Sequence, residues 1–200
     1  MLIVRIVTAL CLLLAGTQVY AQRWCSNPNC AMCNRLEAEY NARLAEEAKP
    51  PEFDPTPQRI VEAMVAVAAP AKGEVVYDLG CGDGRVLVEA ASKFGCKAVG
   101  IEIDPRIVEI ARKKISKQKL TKRIQLIEGD IREFEMDKAD VVFIYQLPEL
   151  VAEVKDEMLK ARRMVVSYSH PIPGVRNEEY KVDGADPFYV WRRPVAATWW

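Results

Sequence analysis

Val75-Val76-Tyr77-Asp78-Leu79-Gly80-Cys81-Gly82-Asp83-Gly84-Arg85 decides how the rest of this chain is read. An apolar run ends in three glycines at alternate positions, and a helix-forming stretch follows at once. Glycine reaches positive φ without penalty and, having no side chain, lets the backbone come close to a ligand. In doubly wound α/β sheets the crevice at the carboxyl end of the first strand is where ligands bind. The spacing argues against a dinucleotide: the third glycine of that fingerprint would fall on Arg85, but glycine comes one residue early, at Gly84. Asp78 and Asp83 flank the turn. Two carboxylates repel a pyrophosphate and suit a cation, since opposite charges ~4 Å apart attract by about 4 kcal/mol at an effective dielectric near 20, before desolvation is subtracted.

A ligand carrying both an ammonium and a sulfonium meets that requirement, and S-adenosyl-L-methionine is one. Glu102 closes the next apolar run, Ala98-Val99-Gly100-Ile101-Glu102, at about the separation expected of an acid that takes two ribose hydroxyls. The run after that ends in Ile127-Glu128-Gly129-Asp130-Ile131, where Asp130 suits an adenine amino group and Ile131 the face of the ring. The cofactor side expected from the residues is Asp78, Gly80, Cys81, Gly82, Asp83, Gly84, Glu102, Ile103, Asp130 and Ile131. Cys81 reads as a small loop residue rather than a nucleophile, and Cys96 as a turn or core position.

Outward from the loop, helix and strand alternate. Helices are expected over 58–68 and 85–94, from Pro105 with Ile107, Val108, Ile110, Ala111 and Ile115 facing inward, and over 149–159. Strands are expected over 74–79, 97–103, 124–128, 140–145 and 164–169, and a closing antiparallel hairpin over 179–182 and 188–193. This is an α/β pattern: a Rossmann-like, mostly parallel sheet with helices on both faces and an antiparallel C-terminal hairpin.

Upstream, Pro50, Pro51, Pro55 and Pro57 mark a boundary, so residues 51–200 form the main domain. Before it, 34–49 reads as an amphipathic helix with Leu36, Tyr40 and Leu44 at helical spacing, within an extension over 22–50. Cys25, Cys30 and Cys33 lie in that extension, either as a disulfide with one thiol left over or as most of a metal site. Residues 1–21 combine Arg5, an apolar run and the exit Val19-Tyr20-Ala21. They read as a secretory signal peptide cut after Ala21, which would export the protein, or as an uncleaved membrane anchor. With 28 basic and 28 acidic residues, the balance gives no support for a nucleic-acid reader, which needs a basic face.

These residues resemble the class I methyltransferases and, more narrowly, the lysine methyltransferases of ATP synthase c-subunit and adenine nucleotide translocase with their bacterial relatives. The narrower likeness rests on Phe53-Asp54-Pro55-Thr56-Pro57, Phe143-Ile144-Tyr145-Gln146-Leu147-Pro148, Arg163-Met164-Val165-Val166-Ser167 and Pro171-Ile172-Pro173. It implies S-adenosylmethionine-dependent methylation of a protein lysine, with Thr56 added to the cofactor side. In such enzymes the end of the fourth strand contacts the acceptor, which points to Tyr145 and Gln146, and His170 follows the fifth strand. The chain lacks the Asn or Asp followed by two prolines that grips planar amino groups, and it has Gly174-Val175 where the family has a tryptophan. Methylation of a small molecule, or cofactor binding without turnover, are the rival readings.

Overall fold

The computed structural model describes residues 31–47 and 53–194, in two units divided between Pro51 and Glu52. The leader (1–21), Cys25, Cys30 and the Cys33 side chain lie outside the described residues. In the first unit, α1 (Ala31–Glu47) begins three residues before the expected start, with Met32 and Leu36 exposed. No helix among the described residues is long and apolar enough to cross a membrane.

The second unit is built on β1 (Val75–Leu79), β2 (Lys97–Glu102), β3 (Ile124–Glu128), β4 (Val141–Ile144), β5 (Met164–Tyr168), β6 (Glu178–Tyr180) and β7 (Phe188–Arg192). They form one sheet in the order β3-β2-β1-β4-β5-β7-β6. The first five are parallel; β7 runs antiparallel to β5, and β6 to β7. Runs of valine such as Val141-Val142 and Val165-Val166 suit strands covered on both faces. Every residue of β4 and β5 is indeed buried.

Alternation sends the two sides of each strand to separate cores. On one face, Val76, Ala98, Phe143, Val166 and Val190 pack with Ile60, Val61, Met64 and Val65 of α2 (Gln58–Ala68) and Leu87 and Ala90 of α3 (Arg85–Phe94). On the other, Leu79, Ile101, Val142, Ile144 and Val165 pack with Val151, Val154 and Met158 of α5 (Pro148–Met158). In α4 (Pro105–Lys117) the buried residues are Val108, Ala111 and Ile115, whereas Ile110, expected to face inward, is 49% exposed. At 100° per residue Ile110 sits roughly 130° from the centre of that stripe.

The strand order reverses between β1 and β4, which opens a crevice above their carboxyl ends. Leu79 pairs with Ile144 there, so the turn after β1 and the segment after β4 face each other.

Candidate functional site

The turn after β1 has all three glycines at positive φ: 73° at Gly80, 52° at Gly82 and 76° at Gly84. Gly80 and Cys81 both donate their N–H to the carbonyl of Ile101, tying the turn to β2. Cys81 tucks over Gly100, where an added Cβ would lie 2.7 Å from its Sγ. Burial, with Asp78 and Glu102 nearby, pushes the Cys81 thiol far up, so it stays protonated and unreactive, in line with its reading as a small residue.

Glu102 is held from both sides: Oε2 accepts from Gly82 N at 3.0 Å and Oε1 from Asp104 N at 3.0 Å. Its carboxylate is thereby fixed over the turn with lone pairs to spare. Asp78 is 5% exposed at the end of β1. Burial first, then the charges of Glu102 and Asp83, push its carboxyl up to about 8.

The other acids of the site come with their own cations. Asp83 accepts from Arg85 Nε at 2.9 Å and pairs with Lys114; against the opposing effect of burial, these hold its carboxyl below the usual range. Asp104 caps α4 and pairs with Arg106 at 2.6 Å. Asp130 caps a single 3-10 turn, Ile131–Glu133, and pairs with Arg132. The motif Asp-x-Arg thus recurs three times, each carboxylate accepting the backbone N–H two residues on while the guanidinium folds back onto it. Asp83, expected as a free charge beside the turn, is instead matched by Arg85 and Lys114. That leaves Asp78 as the buried acid without a cationic partner among the described residues.

Side chains from distant segments complete the crevice. A Cβ on Gly80 would collide with Gln146 Nε2, and one on Gly82 would collide with the Phe53 ring. Gln146 therefore crosses the switch point from β4 to the turn, and Phe53 covers the turn from the segment before α2. Thr56 is buried in that segment and its carbonyl accepts from Arg85 Nη1 at 2.7 Å. Tyr145 donates to Asp54 Oδ2 at 2.8 Å and meets the Tyr168 ring edge-on, 4.7 Å between centroids. Ile103 is 48% exposed beside Glu102, whereas Ile131 is buried. His170 is half-buried in the turn after β5, where Ser169 has φ 67°. Its ring makes no hydrogen bond to the glycine turn among the described residues. The described residues hold no metal-ligating cluster.

Residues 78–179 match the ANTKMT methyltransferase domain family. The chain belongs to that family. It is 35% identical to a protein-lysine N-methyltransferase of Saccharolobus islandicus over 64% of this chain and 81% of that protein. It is 26% identical to the Rattus norvegicus lysine N-methyltransferase of the ATP synthase c-subunit, over 72% of this chain and 67% of that one. Among solved structures it is similar to an RNA methyltransferase from Salinibacter ruber in complex with S-adenosyl-L-homocysteine, with 32% identity and a TM-score of 0.67, covering 70% of this chain and 94% of that chain. The fold is the Rossmann-like methyltransferase fold, and the chain is an S-adenosylmethionine-dependent methyltransferase.

The residues present fit that cofactor. The buried Asp78 carboxyl calls for a cation that the described residues do not supply, and Glu102 offers fixed acceptors one strand away.

Proposed function

We propose that this methyltransferase transfers the methyl group to the side-chain amine of a lysine on a protein substrate. The observation that carries the cofactor half is the unmatched Asp78 beside the immobilised Glu102. The acceptor half is supported by the two lysine methyltransferase relatives. S-adenosylmethionine, when bound, supplies an electrophilic methyl whose C–S bonding pair returns to sulfur as the amine lone pair forms the new C–N bond.

The chain's own residues do the positioning, the main requirement of an in-line displacement. Asp78 balances the positive charge of the cofactor, Glu102 takes the ribose hydroxyls, and Asp130, which already accepts the backbone, Nε and Nη2 N–H groups of Arg132, keeps one acceptor position for the adenine amino group. Phe53 over Gly82 shields the turn from water, and Tyr145 and Gln146 border the acceptor side.

The test is calorimetry with S-adenosylmethionine and S-adenosylhomocysteine, followed by labelled methyl transfer to total protein and total RNA. Methyl-lysine in the protein hydrolysate is the expected result. The RNA arm answers the Salinibacter ruber likeness: label in RNA alone would overturn the lysine assignment, and cofactor binding without label in either would make the domain a binder.

A further inference from the structure

The cofactor contacts proposed above occupy the β1-β2-β3 half of the crevice, leaving the β4-β5-β7 half for the acceptor. There a cavity of about 480 Å³ opens between Pro57 and Arg59 at the start of α2, Tyr168 at the end of β5, and Gly184, Ala185 and Asp186 before β7. Tyr168 touches Tyr145, and the next residue, Gln146, lies against Gly80. Tyr168 in the cavity wall is thus linked through Tyr145 to the residue that meets the glycine turn.

Tyr168 and Asp186 line this cavity, and Asp54 and Tyr145 lie beside it, close enough that both carboxylates act on both phenols. Asp54 accepts from the Tyr145 hydroxyl at 2.8 Å, and Asp186 accepts from Ser169 Oγ at 3.2 Å. Neither carboxylate is in an ion pair among the described residues. Arg59, the cation at the rim, is directed onto the Gly184 carbonyl at 2.8 Å. Burial, reinforced by the neighbouring carboxylates, pushes the Tyr145 phenol up to about 12 and that of Tyr168 in the same direction, so both rings stay neutral. Two carboxylates attract a cation and repel a phosphate backbone, while neutral aromatic rings take an alkyl stem and the edge of its charge.

We propose that this cavity admits the lysine side chain of the protein substrate, with Asp54 and Asp186 receiving the ammonium and Tyr145 and Tyr168 flanking its methylenes on the way to the glycine turn. The proposal rests on the protein-lysine reading. The carboxylates act in capture; the amine then sheds its proton to solvent through the open mouth before attack.

The test uses the full-length chain saturated with S-adenosylhomocysteine, titrated with n-butylammonium as a lysine side-chain probe and with n-butanol as its neutral counterpart, followed by NMR. The expected result is saturable shifts of the Tyr168, Ala185 and Asp186 amides with n-butylammonium and none with n-butanol. The Asp54→Asn/Asp186→Asn double variant should bind the probe at least tenfold more weakly at unchanged S-adenosylhomocysteine affinity. Equal probe affinity in the double variant, or equal binding of n-butanol, overturns the proposal, as does absence of n-butylammonium shifts in protein that holds S-adenosylhomocysteine. Failure to bind S-adenosylhomocysteine would instead fell the methyltransferase reading on which it rests.

Discussion

Replacing Asp78 by Asn should make the ligand-free protein more stable and the enzyme worse. The Asp78 carboxyl sits at about 8 in the folded chain against 3.8 when unperturbed. Between those values the folded state holds a proton that the unfolded state has released, so stability is fully present below pH ~4 and is lost as pH rises toward ~8. Each unit of that interval costs about 1.4 kcal/mol, so at pH 7 the loss approaches about 4 kcal/mol as an upper bound. Asparagine keeps the shape and removes the titration. For a domain of this size a recovered kcal/mol is worth roughly 2–4 °C, so Asp78→Asn should melt up to about 16 °C higher at pH 7 and no higher at pH 4. With S-adenosylmethionine that advantage shrinks, because a charge-assisted contact of about 1.5–3 kcal/mol is lost, a ten- to hundredfold drop in affinity. Differential scanning calorimetry from pH 4 to 8, with and without cofactor, measures both. An Asn variant that melts below the native protein at pH 7, or one whose melting temperature tracks the native pH profile, would refute the argument.

The same titration predicts that cofactor binding at pH 7 expels about 0.9 proton as Asp78 ionises against the sulfonium, measurable by calorimetry in phosphate and Tris buffers. Glu102→Ala removes the acceptor for both the ribose and the Gly82 N–H, and should weaken cofactor binding tenfold or more in the same instrument. Gly82→Ala drives a Cβ into the Phe53 ring at φ 52°, so it should cost about 1–3 kcal/mol in thermal melts. Phe53→Ala added to it should recover only the steric part. N-terminal sequencing of the mature protein decides between the two readings of 1–21: Gln22 first means cleavage after Ala21, and an intact leader means an anchor.

What was legible in the sequence followed from local rules. A strand, a glycine turn and a helix are contiguous in 75–94, and the acids at the ends of β2 and β3 belong to strands on the same side of β1 in the sheet. Strand-end acids converge when strands are parallel and neighbouring, so the pattern carried Asp78, Glu102 and Asp130 to one rim without knowledge of the rest. Ile110 departs from expectation because five apolar residues in α4 are more than its buried stripe can hold, and only the packing partner decides which one is left outside.

The harder part is charge matching. Asp83 and Asp78 look alike in sequence, both acidic and both close to glycine, yet one has Arg85 two residues on and Lys114 arriving from α4, and the other has neither. Half of that is readable: Asp-x-Arg recurs at 83–85, 104–106 and 130–132, and Asp78 is followed two residues later by Gly80. A carboxylate that brings its own guanidinium cannot offer a full charge to a ligand; one that lacks it must find a cation elsewhere or take up a proton. The acceptor side has no such local signature. Tyr145 reaches Asp54 across 91 positions, and Ser169 reaches Asp186 across 17. Those pairings exist because the segment before α2 and the β6–β7 loop both reach the carboxyl ends of β4 and β5, the loop through the antiparallel return of β7, and no single stretch of the chain records either approach.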